Sequence, residues 1–390
     1  MNDSSSRFFD FALFYTIFYS LMNLTPMPNT IFVVKAILEV GMIPCVLYLS
    51  FLWFTSPKVF ALEKIVCCII LFLAFLLLVF FHYRILPELC LLFATRVPVS
   101  FDYLLKKIIK YSIVVFCVIF ICSLLGISSS SEFIRDDIEG VDTVLTAHSF
   151  GFFYYSAPAY LFMNAIVSYL YLNRYSCNIK VLFVTFFLSI LVYLLFVTRV
   201  QLIVNILMLI VFVFTYKIHF FTFTSKIWKI VALLAFPVVA FFTCRLFSTF
   251  DFTSDERLLA LNLVLNGRLK FNQEAFELYD VNFLGNMVET SMGDQTTDYF
   301  FIDCGYIDIL IRYGYIITSF IILLWSMVFY KIYNAREPFL FFWMFLFVFV
   351  SFVNNFFFVS AFFSVPLLYG AYLENSPEQS CLNVEADNEE

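Results

Sequence analysis

The chain has 390 residues, of which 63% are apolar and only 13% charged, with a formal net charge of −6 and a mean hydropathy of +0.93. A soluble domain is nearer half apolar and a quarter charged, so this composition excludes an ordinary globular fold and indicates an integral membrane protein. The acidic balance also leaves no basic face for nucleic acid, and no partner of that kind is expected.

The apolar runs are continuous rather than alternating, which argues for helices and against an outer-membrane barrel. The expected fold class is therefore all-α, a polytopic membrane protein forming a single integral-membrane domain over residues 1–390. The start, MNDSSSRFFDFALFYTIFYSLMNL, has no basic leader region and no small-residue cleavage site, so it reads as a retained first helix. If each span needs about 17–25 mainly apolar residues, about twelve emerge. They begin near Phe8, Ile31, Ile65, Ile85, Ile108, Gly151, Val181, Val200, Ile227, Gly305, Phe339 and Asn355. The fourth is short and holds Pro87 and Arg96, which fits a re-entrant or tilted segment. The last two share one run, broken at Asn354–Asn355.

Basic residues in short loops set orientation. With the N-terminus inside, fourteen of the 23 Lys and Arg residues fall on the cytoplasmic side, among them Lys106, Arg174, Lys226 and Lys331, and seven fall outside. The acidic tail, 374–390, is then cytoplasmic as well. Two outer loops result. The first, Ser128 to His148, is acidic. The second, 245–304, is the one long polar segment of the chain and lies between two apolar runs. Within it, Ser254 is placed to cap a helix that carries Leu258, Leu261 and Leu265 on one face and ends at Asn266–Gly267. Arg268 then opens a second amphipathic piece, LKFNQEAFELY.

Several residues in and near these loops carry chemical potential. Arg199, in FVTRVQLI, stands at a tight turn between two spans, where a guanidinium needs an anion or water. Snorkelling to lipid phosphate is its plain alternative. Arg268 stands where a helix N-terminus adds partial positive charge, and a solvated loop charge is the alternative there. Two arginines grip a pyrophosphate through paired donors in a way one lysine cannot. Asp303 is the last acid before the next apolar run. Partial burial there would turn it into a proton acceptor, while a helix-start acid is the structural reading. Asp308 and Arg312 lie four apart and are expected to pair. Arg245, Tyr306 and His148 are candidate substrate contacts. Cys244 and Cys304 bracket the large loop and would bridge only with Cα atoms within about 7 Å of each other. The ten cysteines otherwise lie mostly in apolar runs without metal-ligand spacing, and the three histidines do not cluster. No metal and no cofactor is expected.

Three stretches, VTRVQL (Arg199), NGRLKFNQEAF (Arg268) and DCGYIDILIRYGYI (Asp303, Tyr306, Arg312, Gly314), together with the topology, resemble the oligosaccharide repeat-unit polymerases of the O-antigen and capsule pathway (the Wzy type), relatives of the O-antigen ligases. Where the ligases tend to have His, this chain has Asp303, which favours a polymerase. The resemblance implies a GT-C-like architecture in the bacterial inner membrane. It implies a metal-independent glycosyltransferase that moves a glycan from undecaprenyl pyrophosphate onto an incoming lipid-linked repeat unit. Arg199 and Arg268 would hold the leaving pyrophosphate and Asp303 would orient or deprotonate the acceptor hydroxyl. A chain-length regulator would be a partner. An O-antigen ligase, or a lipid-linked oligosaccharide flippase, is the alternative; the long outer loop argues against the flippase.

Overall fold

The structure, a computed structural model, describes residues 3–56, 59–81, 85–96, 99–128, 132–136, 144–176, 178–218, 226–249, 259–260, 262, 268–288, 302–355 and 359–373. The chain, read from sequence as one membrane domain, divides into two compact units. Unit 1 takes residues 1–59, 90–221 and 360–390, and unit 2 takes residues 60–89 and 222–359.

Unit 1 begins with α1 (Asp3–Met22), the single-turn α2 (Met27–Thr30) and α3 (Phe32–Thr55). It continues with α6 (Phe101–Leu124), α7 (Ser156–Leu172), α8 (Ile179–Phe196) and α9 (Arg199–Phe212), which runs on into a π turn at Val213–Lys217. The helix α1 packs on α3 and α6, and α7, α8 and α9 pack on one another. Long apolar helices need no amphipathic face to form in lipid, because every backbone group is satisfied within the segment. Accordingly α3 and α8 leave large side chains such as Phe32, Phe51, Phe183 and Leu194 on the outside. Aromatic packing fills the α6–α7–α8 contact, where Phe162 meets Phe116 at 4.9 Å between ring centroids and Phe196 at 5.9 Å.

Unit 2 contains α4 (Ala61–Phe81), α10 (Lys226–Thr249), α11 (Arg268–Leu278), α12 (Gly305–Asn334) and α13 (Pro338–Val350). Its core lies between α10, α12 and α13, where Phe236 and Phe347 each meet Trp325, at 5.3 and 5.6 Å. The break in α12 is its most consequential feature. Gly314 leaves the helical path (φ 73°, ψ 177°), and the loop 280–286 is wedged into the gap. The Ile311 carbonyl accepts from the Asn286 backbone N–H (2.9 Å), and the Tyr315 N–H donates to the Asn282 carbonyl (3.0 Å). Hydrogen bonds that the helix loses are thus replaced by a loop. Asn282 Oδ1 accepts from Leu284 and Gly285 N–H, and its Nδ2 donates to Asn286 Oδ1, so the wedge is itself braced.

Seven of the expected spans are helices long and apolar enough to cross a membrane: α3, α4, α6, α8, α9 with its π turn, α10 and α12. The chain is a polytopic membrane protein. Among the described residues, two of the twelve expected spans depart from a long helix, the fourth in the way its re-entrant reading allows. The expected fourth span, from Ile85, is a nine-residue helix, α5 (Leu86–Ala94), every residue of which is buried. At about 1.5 Å per residue it is too short to cross alone. The expected twelfth, from Asn355, is no helix. Residues 359–373 hold only a 3₁₀ turn, Val365–Tyr369, and are mostly buried.

Irregular backbone at such depth survives only where the protein satisfies it. Here Asn164 of α7 donates to the Ala361 carbonyl (3.0 Å) and accepts from the Ser364 backbone N–H and hydroxyl. Further along, the Phe101 N–H donates to the Tyr372 carbonyl and the Tyr372 N–H to the Val99 carbonyl. A Cβ on Gly370 would lie 2.3 Å from the backbone of Thr95 and Arg96, so only glycine lets these two strands of chain pass.

The fold is all-α as expected, and the acidic segment 128–148 adds one short two-stranded ladder. Glu132–Asp136 (β1) and Val144–His148 (β2) form an antiparallel ladder with Glu132 opposite His148.

Candidate functional site

The site builds up from the polar segment of unit 2. Ser254 and the helix expected after it lie outside the described residues, apart from helical positions at Leu259, Ala260 and Asn262. The second expected piece is present as α11, with Arg268 as its first residue; the Arg268 side chain lies outside the description. Asn262, nearly buried, caps α11 from six residues before its start. Its Oδ1 accepts from the Leu269 (3.0 Å) and Lys270 (3.1 Å) N–H groups. Two orphan donors of a helix N-terminus are thereby satisfied, as a capping side chain does.

From the same helix, buried Asn272 accepts from the Cys304 N–H at 3.0 Å. This bond ties α11 to the foot of α12. The foot is tied again by the Gly305 N–H to the Ser351 carbonyl (2.8 Å). Asp303 is therefore held between two fully buried neighbours, Ile302 and Cys304, while itself half-buried. It sits where sequence reading puts it, directly ahead of α12. Cys304 is a free thiol, as is Cys244, so no bridge joins the two ends of the loop. Burial pushes the Cys304 thiol well above its ordinary pKa, and its Sγ faces the Ser351 carbonyl at 3.7 Å.

Tyr306, expected to touch substrate, is 1% exposed and donates its hydroxyl to the Val348 carbonyl at 2.9 Å. Its polar end joins α12 to α13 instead of facing an open cavity. Asp308 and Arg312 pair as expected, Nε to Oδ1 at 2.5 Å.

Beside α11 lies a polar cleft of about 430 Å³. The last turn of α10 contributes Ser248 and Thr249, and α11 and the residues after it contribute Gln273, Glu277, Tyr279 and Asp280. Gln273 Nε2 donates to Glu277 Oε1 at 3.0 Å, which orients both ends of the pair. Arg245 is exposed one turn before this edge, its carbonyl capped by Ser248 and Thr249 hydroxyls. Carboxylates, an amide, hydroxyls and a phenol ring together suit a ligand that offers many neutral hydroxyl groups. Phosphate would meet repulsion from Glu277 and Asp280. Sequence reasoning missed this cleft; the spacing Gln273–Glu277 along one face of α11, with Asp280 just past its end, was the available signal.

In unit 1, Arg199 is the exposed first residue of α9. The turn before it is sharp because Val197 adopts a left-handed conformation (φ 51°, ψ 41°), costly for a β-branched residue. That turn leaves Arg199 at the helix N-terminus, where its charge adds to the dipole. His148 ends β2, half-buried, with its ring 5.8 Å from Phe150. Among the described residues, no three His, Cys, Asp or Glu side chains converge as metal ligands. Comparison with known proteins adds no relative: no family model, no curated protein and no solved structure matches the chain.

Proposed function

We propose that this chain is a glycosyltransferase that polymerises undecaprenyl-pyrophosphate-linked oligosaccharide repeat units into O-antigen or capsular polysaccharide at the periplasmic face of a bacterial inner membrane. Its two ends are cytoplasmic in this reading and the segment 245–304 is periplasmic, following the bias of basic residues. Arg268, the first residue of α11 in unit 2, stabilises the charge that develops on the departing pyrophosphate, and Arg199, the first residue of α9 in unit 1, is a further anion contact. Asp303 orients or deprotonates the acceptor hydroxyl. The cleft side chains Gln273, Glu277 and Tyr279 receive glycan rather than phosphate.

The observation that carries this reading is the construction of the polar segment. Buried Asn262 caps α11, and buried Asn272 fastens α11 to Cys304, the residue after Asp303, at the foot of α12. A loop held that firmly, with an open polar cleft of about 430 Å³, is a substrate platform and not a connector. The test is purified protein in nanodiscs with lipid-linked repeat units. A ladder of glycan lengths supports polymerisation. Transfer to a lipid A core acceptor would make the protein a ligase, and translocation without transfer a transporter; either outcome overturns the reading.

A further inference from the structure

The inward face of α9 carries two amide side chains among its apolar residues. The buried residues of α9 are Gln201, Val204, Asn205, Met208 and Phe212, a spacing of three and four that marks one helical face. Thr198, directly before the helix, is buried too. Asn205 is 1% exposed, and neither its amide nitrogen nor its carbonyl oxygen has a hydrogen-bond partner. The Thr198 hydroxyl is likewise unpartnered, and the helices packed on α9 add the unpartnered hydroxyls of Ser168 from α7 and Thr185 from α8.

The Asn205 amide is hard to keep dry. A buried amide without partners costs on the order of 1–3 kcal/mol even by the more forgiving protein measures, and nearly all buried polar groups in folded proteins find a partner. Polar cavities hold water; only apolar ones stay empty. The chemistry of the missing partner follows from the atoms left over. Asn205 lacks both a donor and an acceptor, so its partner must accept and donate at once. None of these side chains carries charge, which gives an ion nothing to pair with. Asn205 is buried too deeply for a group as large as a sugar to reach it from solvent.

We propose that the α7–α8–α9 core of unit 1 encloses an ordered water site centred on Asn205. The water accepts from the Asn205 amide nitrogen and donates to its carbonyl oxygen, directly or through a second molecule. Without it, Asn205 would be one of the most costly residues in the bundle. This site is independent of the glycosyltransferase reading and stands or falls without it.

X-ray hydroxyl-radical footprinting of the full-length chain in nanodiscs tests the proposal, because radiolysis of a bound water oxidises the side chains it touches. Met208 lies three residues beyond Asn205 on the same face and is 0% exposed, so bulk water cannot label it. Wild-type protein should oxidise Met208 at a rate comparable with exposed Met287. Asn205→Leu should lower the Met208 rate several-fold and leave Met287 unchanged. Background oxidation of Met208 in the wild type, or an unchanged rate in the Leu variant, would overturn the proposal. If Asn205→Leu fails to fold, the wild-type rate decides alone: near that of Met287 it supports the water site, and at background it refutes it.

Discussion

Replacing Gly314 by Ala should open the wedge that holds α12 to the loop 280–286. The backbone there, φ 73° and ψ 177°, lies in a region that only glycine occupies readily, which alone costs a side chain about 1–3 kcal/mol. An added Cβ would also lie 2.4 Å from the Gly285 nitrogen and 2.5 Å from the Phe283 carbonyl carbon. Both neighbours are backbone, so no rotamer change relieves the contact. The loop must leave, and with it go the Asn286 to Ile311 and Tyr315 to Asn282 hydrogen bonds, each worth about 0.5–1.5 kcal/mol net. The sum is about 3 kcal/mol or more, enough to lower the melting temperature by several degrees. Gly285→Ala meets the Arg312 carbonyl oxygen at 2.0 Å and should act on the same contact, so the double variant should cost less than the two singles added. Thermal unfolding of all three variants, followed by limited proteolysis within 280–286, measures this. A Gly314→Ala protein that melts and digests like wild type would refute the wedge.

Three further outcomes are expected. Asn164→Leu should destabilise unit 1 by about 2–4 kcal/mol, because buried backbone at Ala361 and Ser364 loses its side-chain partner, and chemical denaturation of the purified protein reports it. Arg199→Ala should reduce polymerisation at least about tenfold while protein level stays normal, since one charge-assisted contact is worth about 1.5–3 kcal/mol and 1.4 kcal/mol is one decade; Arg199→Lys should restore only part, and full polymer length in both variants removes Arg199 from the site. Reporter fusions at Asp137 and Glu277 should show export, and cytoplasmic signal at both would reverse the proposed topology and the mechanism with it.

Continuous hydrophobicity made the seven long helices legible, because lipid asks only for length and apolarity. The Asp308–Arg312 pair was legible from spacing alone, and so was α11 from its amphipathic pattern behind Arg268. What stayed hidden depends on distant partners. Residues 359–373 read as a helix from composition, yet Asn164, about 200 positions earlier, supplies hydrogen bonds that let the chain run irregularly. The nine residues of α5 look like part of a span until their complete burial is seen. The β1–β2 hairpin hides in two five-residue strands, too short for a periodic signal. Gly314 alone gives no hint that loop 280–286 fills the break it makes. The Gln273–Glu277–Asp280 cleft face appeared only once α10 and α11 were seen side by side.

The claim on which the rest depends is that the chain joins glycans at the polar end of unit 2. The most direct measurement incubates purified wild-type, Asp303→Asn and Glu277→Gln proteins with one defined lipid-linked repeat unit and resolves the products by length. The account predicts a ladder from wild type, one shortened by Glu277→Gln as glycan binding weakens, and near-complete loss with Asp303→Asn. Wild-type protein that returns only the starting repeat unit, in nanodiscs where it is folded and monodisperse, would contradict it.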